Sequence, residues 1–229
     1  MTWVKICGMT NLEDALTAVD AGADAVGFVF YEKSPRNISV EAAREIVRKL
    51  PQRVEKVGVF VDLESEQIRE VVLRAGLSAV QLHGEQSAES VGRDLASSPN
   101  SVGVSKVISV IHGEALKDDL LFGVTISNVF AILLDSRSNE AMGGTGTAFD
   151  WEASQGAVQH MSLTVPVIVA GGLTPMNVGG AIRMFQPFGV DVASGVEARP
   201  GKKDPEKVRA FVRAVREMDA KPTNYGHGF

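Results

Sequence analysis

The sequence has little of several things that mark particular kinds of protein. It holds one cysteine, which excludes an intrachain disulfide and leaves a reducing, cytoplasmic setting as the simplest one. It has no surplus of positive charge: 23 Lys and Arg stand against 28 Asp and Glu. Nucleic-acid and membrane-surface proteins usually carry a basic excess, so neither nucleic acid nor a membrane is an expected partner, although a local basic pocket remains open. Long apolar runs are also missing. AVGFVF at 25–30 and VFAILL at 129–134 fall far short of the roughly 18 residues needed to span a bilayer. The opening MTWVKICGMTN lacks the basic flank, apolar stretch and small-residue cleavage site of a secretory leader. No linker, low-complexity tract or break in composition divides the chain. We therefore expect one domain over 1–219, followed by a loose tail at 220–229.

What is present is an alternation. Short apolar, β-branched runs at 3–7, 24–30, 56–61, 79–82, 102–110, 130–134, 165–169 and 190–193 predict eight strands. Between them, apolar residues at helical spacing predict helices over 12–21, 40–50, 65–75, 87–96, 151–159, 177–185 and 205–218, with a weaker one over 114–122. Asn11, Ser39 and Asp204 stand where helix caps belong. AGAD at 21–24, RAGLSAV at 74–80 and PFGVDVA at 187–193 share one form, in which a helix ends, a glycine turns the chain and a strand begins. Eight βα units in about 220 residues match an α/β fold of the (β/α)8 TIM-barrel class, with eight parallel strands. An open doubly wound sheet is the alternative, because periodicity alone does not show closure.

The barrel reading carries a test within the sequence, because the active site of such a barrel lies at the C-terminal ends of its strands. Unusual residues do collect there: Cys7, Lys33 to Arg36, Asp62, His83-Gly84, Asp135-Ser136, Gly171-Gly172 and Ser194-Gly195 each follow an apolar run. The glycine pairs after strands seven and eight suit a phosphate held by backbone N–H groups; read alone, each pair is simply a turn. Cys7 is either an inert packing residue or a reactive thiol. Only His83 of the four histidines stands at a predicted strand end, so a proton-accepting thiolate, favoured by nearby positive charge such as Lys5, is easier to support than a His-activated nucleophile. Asp135 emerges from FAILLD either to cap a loop or, kept protonated by desolvation, to act as a general acid. In a closed ring strands one and six are three steps apart, which sets Cys7 opposite Asp135. Arg36 is an exposed loop residue or a bidentate grip for a substrate carboxylate. GGTGTAFDW at 143–151 suggests a mobile loop over the mouth.

Taken together and in this order, WVKICGMT, VGFVFYEKSPRNI, VGVFV, QLHGE, LLDS with GGTGTAFDW, AGGLTPMNV and GVDVASGVEARPGKKD resemble the phosphoribosylanthranilate isomerase family. The resemblance runs from about residue 3 to 216. It implies an Amadori rearrangement in tryptophan biosynthesis, with Cys7 as general base, Asp135 as general acid and Arg36 on the anthranilate carboxylate. It implies a phosphate site at Gly171, Gly172, Ser194 and Gly195, and adds Gln81, His83 and Gly144 to the substrate-binding candidates. No metal or organic cofactor is implied; the expected ligand is a small phosphorylated aminosugar, and association with other tryptophan-pathway enzymes is possible. Other readings are a different phosphosugar isomerase and a non-catalytic phosphosugar-binding barrel. Pentose-phosphate epimerases would need several His and Asp ligands at strand ends, where His112, His160 and His227 are not expected.

Overall fold

The computed structural model describes residues 1–84, 88–97, 106–112, 129–135 and 151–220. Eight parallel strands close into a barrel in sequence order: β1 (Trp3–Cys7), β2 (Ala25–Phe30), β3 (Glu55–Val61), β4 (Ala79–His83), β5 (Lys106–His112), β6 (Ala131–Asp135), β7 (Val167–Ala170) and β8 (Gly189–Val192). Closure runs through β1 and β8, paired from Trp3↔Gly189 to Ile6↔Val192, which excludes the open sheet. Outside lie α1 (Leu12–Ala21), α2 (Val40–Val47), α3 (Ser65–Ala75), α4 (Ala88–Ser97), α5 (Trp151–Ser162), α6 (Val178–Phe185) and α7 (Pro205–Asp219). After β8 come a 3-10 turn (Ser194–Val196) and a small hairpin of β9 (Glu197–Arg199) and β10 (Lys202–Lys203).

Local signals explain the element ends. The Asn11 side chain accepts from Asp14 N at 2.9 Å and the Ser39 side chain from Ala42 N at 3.2 Å, while Asp204 caps α7 ahead of Pro205. Gly22 and Gly76 end α1 and α3 with left-handed backbone. Most boundaries shift from expectation by one to three residues, and two of the shifts have a readable cause or consequence. Helix α2 stops at Val47 rather than residue 50, because its last turn tightens into i→i−3 bonds, Lys49 N to Ile46 O and Leu50 N to Val47 O, ahead of Pro51. Strand β5 runs on to His112, in register with Asp135. The expectation that His83 alone of the histidines ends a strand is therefore corrected: the alternation of VISVIH carries the ladder two residues further. Residues 102–105 and the expected helix over 114–122 lie outside the described residues.

Alternation along each strand divides the core into two shells. Val4, Ile6, Val26, Phe28, Phe60, Val80, Leu82, Ile132, Leu134, Val167, Val169, Val190 and Val192 face outward and pack with the apolar stripes of the helices. Inside, Ala25, Val57, Ala79, Ile108, Ala131, Leu133, Ile168 and Ala170 fill the barrel, with Cys7, Val29 and Val59 as a smaller cluster nearer the mouth. Phe188 packs between Trp3 and Phe130 at the N-terminal end, with ring centroids 6.2 and 5.7 Å away. Arg216 of α7 ties the first strand to the last helix: it donates to Thr2 O at 2.6 Å, to Gly22 O at 3.0 Å and to Asp24 Oδ2 at 2.9 Å. Among the described residues, no helix is long and apolar enough to cross a membrane.

Candidate active site

The parity that packs the interior also aims the polar residues. Lys5 and Cys7 share the inward phase of Trp3 on β1, Gln81 and His83 that of Ala79 on β4, Asp135 that of Leu133 on β6, and Asp191 that of Gly189 on β8. Cys7 and Asp135 each end their strand, and β1 and β6 stand three places apart around the ring. Gly27 is the register partner of Cys7 on β2; a Cβ there would lie 2.7 Å from Cys7 Sγ. Glycine is what leaves room for the thiol.

A cavity at the ends of β6, β7 and β8 is lined by Asp135, Gly171, Gly172, Asp191 and Ser194. Gly171 and Gly172 have φ of 81° and 61°, left-handed values that favour glycine. Asn177 staples this turn: its Oδ1 accepts from Thr174 N at 2.7 Å and its Nδ2 donates to Gly172 O at 3.0 Å. The two glycine loops touch. A Cβ on Gly195 would lie 1.8 Å from the carbonyl oxygen of Leu173, so only glycine permits the approach. The loops after β7 and β8 form the usual phosphate site of these barrels.

Arg36 is not the exposed loop arginine of the alternative reading. Its Nε and Nη2 donate to the two carboxylate oxygens of Glu197 at 2.8 and 2.7 Å, a bidentate pairing that occupies one edge of the guanidinium. Lys203, fully buried, donates to Glu197 Oε1 at 3.0 Å and to Ala193 O at 3.1 Å. Burial opposes charge on Glu197, yet Arg36 and Lys203 outweigh it and hold its carboxyl below the usual range. Burial lowers the Lys203 pKa despite Glu197. Gln81 is buried, and its Nε2 lies 2.9 Å from His83 Nε2. Among the described residues, no three His, Cys, Asp or Glu side chains converge as a metal site.

The pattern of the family described as N-(5'phosphoribosyl)anthranilate (PRA) isomerase matches residues 4–214. The chain belongs to this family. It is 44% identical over 224 residues to the N-(5'-phosphoribosyl)anthranilate isomerase of Pelobacter propionicus, covering 97% of this chain and 100% of the relative. It is 46% identical over 218 residues to that of a Geobacter species, covering 95% and 100%. The fold superposes on the crystal structure of phosphoribosyl anthranilate isomerase from Thermotoga maritima with a TM-score of 0.78 at 42% identity, over 95% of this chain and 100% of that one. A family structure in complex with reduced 1-(o-carboxyphenylamino)-1-deoxyribulose 5-phosphate gives 0.74 at 40% identity, with the same coverage.

The barrel thus brings Cys7, Asp135, Gly171, Gly172, Ser194 and Gly195 to one end, with Arg36 after β2 and His83 at the end of β4 on the same side, and Gln81 one inward position below His83. Gly144, Ser136 and most of the glycine-rich segment at 143–151 lie outside the described residues. Sequence reasoning passed over Asp191, Glu197 and Lys203. A signal existed for Asp191: a carboxylate in the apolar strand GVDV, at the same inward phase as the lysine of WVKIC. Glu197 and Lys203 stood inside a family motif but carried no chemistry until the hairpin folded them against Arg36.

Proposed function

We propose that this chain isomerises N-(5'-phosphoribosyl)anthranilate to 1-(o-carboxyphenylamino)-1-deoxyribulose 5-phosphate, with Cys7 as general base and Asp135 as general acid. The observation that carries the assignment of roles is that these two residues end strands at the same end of the barrel, three strands apart, with Asp135 lining the cavity at the paired glycine loops. Asp135 gives a proton to the ribose ring oxygen as the bond from that oxygen to C1′ breaks. The anilino nitrogen supplies the electron pair for a C1′=N iminium. The Cys7 thiolate then takes the C2′ proton, and the electrons left behind form C1′=C2′ and neutralise the nitrogen. Proton gain at C1′ and loss from the 2′-hydroxyl complete the ketone. The phosphate rests on N–H groups of the Gly171-Gly172 and Ser194-Gly195 loops, and the free edge of Arg36 meets the anthranilate carboxylate.

This division of labour puts a base and an acid at two ends of one small substrate. It also fits an acidic protein, because the phosphate needs no lysine and the carboxylate one arginine. Cys7→Ser and Asp135→Asn are each expected to fold and to lose roughly 10²–10⁴-fold in kcat, read in a fluorescence assay of phosphoribosylanthranilate consumption. Near-native turnover by either variant overturns its role. Growth of a tryptophan auxotroph lacking the isomerase tests the activity as a whole, because a barrel that only binds phosphosugar gives none. The same reading puts the enzyme in the cytoplasm, with Gln81, His83 and Gly144 as further substrate contacts. Co-purification tests association with other enzymes of the pathway.

A further inference from the structure

Lys5 is wholly buried inside the barrel, a costly place for an ammonium. Its Nζ lies 3.0 Å from Asp191 Oδ1, yet neither atom completes a well-directed hydrogen bond among the described residues. A buried ion pair that served packing alone would be expected to satisfy its remaining donors. The other group that acts on the ammonium is the Cys7 sulfur. The point where a Cβ on Gly27 would stand is 2.7 Å from Cys7 Sγ and 3.1 Å from Lys5 Cε. A neutral thiol is a weak acceptor and a thiolate a strong one, so this arrangement is incomplete around S–H and completed by S⁻.

We propose that Lys5, anchored by Asp191, is a positioning residue that holds the negative charge of the Cys7 sulfur while it acts as base. The proposal rests on Cys7 having that role. Among the described residues, the charged groups acting on the sulfur are Lys5 from β1, Asp191 from β8 and Lys203 from β10 with Glu197 behind it. Tyr31 after β2 packs against the cluster of Cys7, Val29 and Val59, Gly27 is the β2 neighbour of Cys7, and Asp135 ends β6 across the mouth. Burial pushes the thiol up and outweighs the rest; Lys5 pulls it down most strongly, Asp191 opposes, and Lys203 assists. Burial likewise opposes charge on Lys5, but Asp191 and Cys7 outweigh it and keep the ammonium. In each cycle the thiol first loses its proton to solvent, the sulfur then takes the C2′ proton, and the ammonium stays protonated throughout.

The test is titration of the thiolate absorbance in the full, substrate-free chain, with Cys7→Ser as the blank. Cys7 is the only cysteine, so the difference signal has one source. Lys5→Met is expected to raise the midpoint by at least about one pH unit, the usual effect of losing an opposite charge at contact distance. The pH limb of kcat/KM should move with it, so activity lost at neutral pH returns at higher pH. The double variant Lys5→Met/Asp191→Asn removes both buried charges, a change that folds often tolerate. It should raise the midpoint by less than the single variant does, and it serves if the single variant fails to fold. An unmoved midpoint and pH limb overturn the proposal even if Cys7→Ser is inactive. An active Cys7→Ser instead overturns the base assignment on which the proposal stands.

Discussion

At the scale of single residues, the site depends on what is missing at Gly27 as much as on what is present at Cys7. A methyl on Gly27 would meet Cys7 Sγ at 2.7 Å, Lys5 Cε at 3.1 Å and Cys7 Cα at 3.2 Å. Gly27→Ala should therefore push the thiol out of line. The expected outcome is a kcat reduced more than tenfold and a stability loss of about 1–3 kcal/mol from overpacking, read by steady-state kinetics and urea denaturation. Cys7 was legible in the sequence because it is the only cysteine and ends an apolar run. Gly27 was not, since a glycine inside AVGFVF looks like any other until the register sets it beside Cys7.

At the scale of elements, the turns after β7 and β8 and the β9–β10 hairpin do the positioning. The contact of Gly195 with the carbonyl of Leu173 is between backbones, which cannot rotate away as a side chain can. Gly195→Ala should separate the two loops and raise KM for the phosphorylated substrate by about tenfold or more, roughly 1.4 kcal/mol of lost binding, with the helices and strands intact by circular dichroism. The hairpin pins one edge of Arg36 to Glu197 and leaves the other without a partner among the described residues, so the guanidinium is oriented before substrate arrives. The glycine turns were readable because strand, Gly-Gly and helix start form a local pattern. The hairpin's work was not, because it depends on Glu197 reaching Arg36 across 161 residues of sequence.

At the scale of the whole molecule, the fold was legible because eight βα units repeat and because alternation within each strand states which side is inside. What periodicity did not carry was closure, which is a pairing between the first strand and the last. Stability against acid also belongs to this scale. The carboxyls of Glu197 and Asp219 both lie below their ordinary values of 4.5 and 3.8: burial opposes the charge in each, and Arg36 and Lys203 for the first, Thr2 and Arg216 for the second, more than offset it. Groups with depressed pKa bind fewer protons folded than unfolded, so their stabilisation is present above the ordinary carboxylate range and lost as pH falls through the lowered values. The free energy of unfolding should hold level from neutrality to about pH 5 and decline below about 4.5, measured by urea titration at each pH.

The pair between Lys5 and Asp191 reaches beyond the chemistry of the sulfur. These two residues are direct register partners across the seam where the barrel closes. Sliding β8 by one residue against β1 would turn Asp191 out toward the helices and strand Lys5 as a lone cation in the interior, since side chains alternate sides with a period of two. Leaving a buried charge without its partner costs about 3–5 kcal/mol, a large share of the stability of a domain. Misaligned closure is thereby disfavoured by the same two side chains that serve the sulfur, so a chain that closed in the wrong register would carry an unpaired charge in its interior.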